Sequence, residues 1–335
     1  MTRIFVYEYL SSGGDPAAND DLLSMGQSMR DALVADLVRL DDCEVSVAAC
    51  GPAKTPIGPA RMVKPRERET PFDFVARHAL ANDLVWVVAP ETDGVLVRLA
   101  QRVDPARWLG CDIDSIRLTS GKRATLARLA EAGVWTPLAF EHAPEIAQWV
   151  VKPDDGAGSI DTRVHASFEA ATRDRANRSS HAGHVGHVGH FSHVSHATTI
   201  EPWVEGQALS LSLLYGAQHT ELLSINCQHL SINADGSVSF CGVAVNAVPL
   251  DDPRAATLRD LAASVGTAIA GLRGFVGVDL VWHAQRGPVV IEVNPRLTCA
   301  YVGLSSALGR NVASDIIAAH QRLHDRSRET AHGDA

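Results

Sequence analysis

An α/β protein built around a parallel sheet is the fold class this sequence predicts. Two observations carry that reading. Residues 4–7, 45–49 and 84–89 are short apolar runs of strand length, and segments at helical spacing lie between them. Residues 22–40 place Leu22, Met25, Met29, Leu33, Leu37 and Leu40 on one helical face, residues 71–80 read as a second helix, and 94–103 as a third. Strands that alternate with helices are joined by crossovers, and crossovers make parallel sheet. The first α/β domain is placed at 1–105.

The bulk composition narrows the function classes. The chain has 335 residues, 46% hydrophobic and 21% charged, as a soluble globular protein of two or three small domains would. Its formal charge of −9 argues against a nucleic-acid partner, which would need a basic face. The six cysteines (Cys43, Cys50, Cys111, Cys227, Cys241 and Cys299) are scattered without a C-x-x-C pair, so reduced thiols and a cytoplasmic location are expected. No stretch reaches the ~18 apolar residues that span a bilayer. The N-terminus has no signal-peptide pattern. A membrane role is therefore not expected, and small-molecule chemistry is. A homodimer is compatible with the sequence, which does not set the oligomeric state.

Further along, a helix is expected to open at Thr119-Ser120-Gly121-Lys122 and run to Leu129, stopping at Gly133 before Thr136-Pro137. Residues 148–152 read as a strand, 154–161 as a loop and 167–176 as a helix. From His181 to His196 a histidine recurs at every third position among Gly, Val and Ser, a low-complexity pattern that cannot build a core. Strands follow at 209–214, 222–228 and 238–241, then a helix over 254–272, a hairpin over 275–294 and a closing helix over 312–323. These divide into 106–200, a small subdomain with the histidine-rich insertion 181–196, and 201–324, a C-terminal subdomain. A disordered polar tail is expected at 325–335.

The hairpin bears the clearest chemistry. In its first arm Val276, Val278, Leu280 and Trp282 share one face and Asp279 lies on the other; in its second, Val289, Ile291 and Val293 share a face opposite Glu292 and Asn294. A turn centred on Gln285 and Arg286 pairs Asp279 with Glu292 and Gly277 with Asn294. A loop of odd length would shift that register. Like charges directly opposed on a sheet are destabilising, so something cationic belongs between them. Two carboxylates and an amide oxygen suit Mg²⁺ (or Mn²⁺) carrying substrate phosphates. The bland alternative is a solvated face with two harmless acids.

Upstream, Lys152 ends a strand and precedes the Gly-rich stretch with Gly156, Gly158 and Ser159. Backbone N–H groups in such a loop can cover a phosphate held by the lysine. It matches neither the Walker A nor the dinucleotide fingerprint. Taken singly, this loop reads as a plain turn, and Lys122, Glu201 and Glu205 as solvated residues.

In this order, the pieces resemble the ATP-grasp ligases: Lys122 with Gly133 and Pro137, Lys152 before the glycine loop, a hinge at 201–206, and a hairpin ending Asn294-Pro295-Arg296. The resemblance covers roughly 115–305 and implies an ATP-grasp fold behind an N-terminal pre-ATP-grasp domain. It implies that Lys122 and Lys152 contact ATP phosphates, with Gly156, Gly158 and Ser159 closing over them. The hinge around Glu201, Trp203 and Val204 would read adenine; Asp279, Glu292 and Asn294 would hold one or two Mg²⁺ or Mn²⁺ ions. Arg296 would steady the transferring phosphoryl group or the attacking carboxylate. The acid that often binds ribose in this family is replaced by Ala208, leaving Glu205 as its substitute.

At the N-terminus, Glu8-Tyr9-Leu10-Ser11-Ser12-Gly13-Gly14 and Ala89-Pro90-Glu91-Thr92-Asp93-Gly94 resemble the tyramine–glutamate ligase branch, which makes a γ-glutamyl amide for methanofuran-type C1 carriers. The resemblance thus implies an enzyme that joins a small-molecule carboxylate to an amine through an acyl phosphate, with ATP as co-substrate. Rival readings are a ligase like D-alanine–D-alanine ligase, a nucleotide-binding regulator without turnover, and a histidine-rich metal-binding protein.

Overall fold

Three sheets organise the chain. The computed structural model describes residues 1–50, 58–143, 146–156, 158–181, 197–217 and 219–333. The first sheet is parallel, in the order β3-β2-β1-β4, from β1 (Thr2–Glu8), β2 (Cys43–Ala48), β3 (Arg61–Val63) and β4 (Leu84–Val88). Helices α1 (Asp20–Leu37), α2 (Pro71–Ala81) and α3 (Val95–Ala100) make the crossovers and flank. Helix α1 starts where Asn19 accepts the N–H of Leu22 at 2.9 Å, and α2 starts at Thr70 with Pro71 in its first turn. The edge strand β3 has no apolar run, because Arg61 and Met62 are exposed, and the sequence gives no sign of it.

The next helix is two helices. Thr119 and Ser120 close α4 (Ile113–Ser120), Gly121 is extended, and α5 (Lys122–Glu131) begins at the lysine. The expected start at Thr119 is thus corrected. Asp112 caps α4, and Asp154 accepts the N–H of Arg123 at 2.8 Å, so each start has its own acceptor. The second sheet, antiparallel in the order β6-β5-β7, comprises β5 (Trp149–Pro153), β6 (Arg163–His165) and β7 (Thr198–Pro202), with α6 (Phe168–His181) against it. Of the histidine tract, 182–196 lies outside the described residues.

The third sheet is antiparallel, in the order β10-β9-β8-β11-β12: β8 (Gln207–Tyr215), β9 (Thr220–Ile232), β10 (Val238–Val248), β11 (Gly274–His283) and β12 (Gly287–Asn294). Leu209, Leu211 and Leu213 bury one face against α7 (Arg254–Ala268). The alternate residues Ser210 and Ser212, with Ser224 and Asn226 from β9, are buried too, and Asn226 Nδ2 donates to Ser212 Oγ at 3.2 Å. Helix α8 spans Leu304–Leu308. Helix α9 runs Val312–Gly333, continuing through residues where the sequence reading ends it at 323 and expects disorder from 325.

The first and third sheets share a core in which Ile4, Val6, Leu33 and Leu37 meet Leu214, Phe275, Tyr301 and Ile316. Asp36 of α1 fixes this junction by accepting from Tyr301 Oη at 2.7 Å and Ser305 Oγ at 2.5 Å. The site described below depends on that junction. No helix among the described residues is long and apolar enough to cross a membrane.

Candidate active site

On β11 and β12, Asp279 faces Glu292 and Gly277 faces Asn294, as the sequence leads one to expect. The route differs. His283 pairs with Gly287, so the loop holds an odd number of residues, 284–286, and the register near the turn is displaced by one. A β-bulge between Asp279 and Leu280 takes up the extra residue and restores the pairing. The bulge also corrects the expected face: Val290, not Ile291, lies opposite Leu280 and is fully buried.

Asp279 is half-buried. It accepts from Gln228 Nε2 at 2.9 Å and from Asn294 Nδ2 at 3.2 Å. Burial and the Glu292 charge push its carboxyl up to about 7, against the hydrogen bonds and the Arg296 charge that pull the other way. Sequence reasoning missed Gln228, whose only signal was its alternation with Asn226 and Ser224 along β9.

The two lysines come from different elements. Lys152, at the end of β5, is buried with Glu201 of β7, Nζ to Oε2 2.8 Å. The ladder makes this pair: Val150 sits opposite Glu201 and Lys152 opposite Thr199, all on one face. Lys122, buried at the start of α5, lies 2.9 Å from Glu292 Oε1 and donates to the carbonyl of Gly156. Burial works against its charge, but Glu292, with Glu91 and Glu201 beyond it, more than offsets this and raises its pKa.

The glycine loop is pinned on both sides. The carbonyl of Asp154 accepts the N–H of Lys122 at 2.9 Å. Asp155 accepts the N–H of Asp93 at 3.0 Å and its carbonyl takes Thr92 Oγ1 at 3.1 Å. Gly158 and Ser159 adopt left-handed backbone, and a Cβ added at Gly158 would lie 3.7 Å from Leu22 Cδ2 of α1.

The hinge residues divide. Trp203 is half-buried against Val150, Val164 and Val238, Val204 is buried against Phe140 and Val289, and Glu205 is exposed. Gly206, at φ +151°, could not carry a Cβ, which would meet the Trp282 carbonyl oxygen at 2.3 Å. Arg296 points to the N-terminal sheet, where its Nη2 lies 2.7 Å from Glu91 Oε2. Burial opposes the Arg296 charge, and Glu91 and Glu292 outweigh it, raising its pKa. Glu91 belongs to the 89–94 motif, but the sequence offers no reason to bring it to Arg296, 205 positions away.

Asp279 and Glu292 in one rung, with Asn294 two residues along β12, form a hard-oxygen donor set that fits a divalent cation. No group of three or more His, Cys, Asp or Glu side chains gathers for a metal among the described residues. A cation at Asp279, Glu292 and Asn294 would therefore draw its remaining oxygens from a bound ligand.

The profile of the ATP-grasp domain matches residues 119–300, more than half of the chain. The chain belongs to the ATP-grasp family. A pre-ATP-grasp domain profile matches residues 43–116, so the parallel sheet precedes an ATP-grasp fold. Among solved structures, an ATP-grasp superfamily protein from Archaeoglobus fulgidus aligns with a TM-score of 0.68 and 19% identity over 95% of this chain and 88% of its own. An L-amino acid ligase from Bacillus licheniformis gives 0.60 and 15% over 94% of this chain and 72% of its own. A D-alanine–D-alanine ligase from Bacillus anthracis gives 0.63 and 14% over 98% and 100%. At these identities the likeness is one of fold. No curated protein matches the sequence.

Proposed function

We propose that this ATP-grasp chain is an ATP-dependent ligase that joins a small-molecule carboxylate to an amine. The convergence of Lys122, Glu292, Asp279 and Arg296 from separate elements into one half-buried charge cluster carries the reading. Lys122 and Lys152 bind the ATP phosphates, the loop with Gly156, Gly158 and Ser159 covers them, and the backbone of Trp203 and Val204 receives adenine. Glu205, exposed at the hinge, is the candidate for ribose. Arg296 orients the carboxylate.

In the first step a carboxylate oxygen attacks the γ-phosphorus, and the bond to the bridging oxygen breaks with release of ADP. The amine nitrogen then attacks the carbonyl carbon of the acyl phosphate. The C–O bond to phosphate breaks, and phosphate leaves with the electron pair and takes up the proton that the nitrogen loses. Positioning and charge neutralisation supply most of such a rate enhancement. Mg²⁺ or Mn²⁺ held by Asp279, Glu292 and Asn294 would add neutralisation of the phosphate charge.

The finer reading, glutamate and tyramine joined as a γ-glutamyl amide, is supported by the 8–14 and 89–94 motifs. An ADP-release panel over carboxylate–amine pairs, beginning with glutamate plus tyramine, tests both levels. ADP released only when both substrates are present supports the ligase. Release with another pair alone redirects the substrate, and release with none removes the reading.

A further inference from the structure

The Glu91–Arg296 ion pair is incompletely satisfied. Glu91 Oε2 holds Arg296 Nη2 at 2.7 Å, while Glu91 Oε1 and Arg296 Nε are both buried without a hydrogen-bond partner among the described residues. A buried acceptor and a buried donor left unpaired cost free energy, and native chains rarely keep two in one pair without a use. Glu91 is not loosely held. It follows β4, and the next two residues tie it to the glycine loop through the Thr92 and Asp93 contacts with Asp155.

We propose that Glu91 binds the amine substrate, its Oε1 accepting an N–H while its Oε2 keeps Arg296 in place. The free atoms match the two reactants. An ammonium or amine offers N–H donors, and Glu91 Oε1 is an acceptor bearing negative charge. The acyl group offers oxygen, and Arg296 Nε is a donor bearing positive charge. One buried pair thereby sets nucleophile and electrophile side by side, which is how orientation accelerates a two-substrate reaction. The ligand class is a primary amine that is protonated in solution. A carboxylate at Oε1 would be repelled.

This inference rests on the ligase reading above, and its test separates the two. ATP, carboxylate and hydroxylamine give a hydroxamate when acyl phosphate forms. Hydroxylamine is uncharged at neutral pH and needs no ammonium acceptor. In Glu91→Gln the loss of the counter-charge beside Arg296 lowers hydroxamate and amide formation alike, but the amine KM should rise about tenfold or more beyond any change in the carboxylate KM, as loss of one further charge-assisted contact predicts. Glu91→Asp, which keeps the charge and withdraws the oxygen, should show the same split while still being stabilised by MgATP. An amine KM that rises no more than the carboxylate KM would overturn the proposal, leaving Glu91 as a positioning residue for Arg296. So would an unchanged amine KM in both variants. Absence of hydroxamate from wild type with every carboxylate would overturn the ligase reading, and this inference with it.

Discussion

Asp279 lies directly across the β11–β12 ladder from Glu292, and the pairing exists because a bulge cancels the register shift of an odd-length turn. Two acids on one rung repel, and Lys122 pairs with Glu292 alone, so Asp279 without a metal cation is strained by burial and by its charged neighbour.

The first prediction concerns that strain. Asp279 titrates near 7 when folded, against an ordinary value of 3.8, so the folded state binds a proton that the unfolded state has lost between these values. Stability without cation should therefore fall as pH rises from about 4 to about 7 and level off above. The shift sets an upper bound of roughly 4 kcal/mol, reduced by the solvent that the half-buried carboxylate still meets. Asp279→Asn should flatten this slope in denaturant titrations from pH 5 to 8 and hold or raise stability above 7. A slope equal to wild type would contradict it.

Most of the site's polar residues are legible in the sequence because each sits at a local punctuation: Lys152 ends a strand, Lys122 starts a helix, and Asn294-Pro295-Arg296 ends a hairpin. The bulge is not legible, since periodicity across 287–294 reads equally well without it. Glu91 and Gln228 are invisible for another reason. Their partners, Arg296 and Asp279, are set by packing between elements far apart in sequence. Strands β3 and β6 are too short, and α4 too sparsely apolar, to leave a periodic signal.

A second prediction separates stability from ligand binding at Lys152. Lys152→Ala strands the fully buried Glu201 and should cost about 3–5 kcal/mol in unfolding free energy. Lys152→Ala/Glu201→Ala should recover most of that. ATP affinity should be about 10- to 150-fold lower in both, from loss of a charge-assisted contact. Equal stability of single and double variants would remove the ion-pair explanation.

Gly206 gives a third. Gly206→Ala places a Cβ against the Trp282 carbonyl at a φ that side chains avoid. The cost should be about 1–3 kcal/mol, read as a lowered denaturant midpoint. Gly287→Ala shares a positive φ but meets nothing within 4 Å, and should cost less. Equal costs would show that the carbonyl contact does not matter.

The fourth concerns the histidine tract. Its histidines recur at every third position among Gly, Val and Ser, and none of the residues placed at the candidate site belongs to it. Replacing 181–196 with a short Gly/Ser linker should leave turnover within a few-fold of wild type. A collapse with ATP binding intact would make the tract part of the site.

The claim that Asp279 and Glu292 carry the divalent-cation chemistry is tested most directly by Mg²⁺-dependent ADP release in wild type, Asp279→Asn and Glu292→Gln. Wild type should release ADP only with carboxylate and amine present. Both variants should lose that release and no longer be stabilised by MgATP; without cation Asp279→Asn should keep its unfolding midpoint, while Glu292→Gln, which strands the buried Lys122, should lower it. Wild-type turnover in both variants would contradict the assignment.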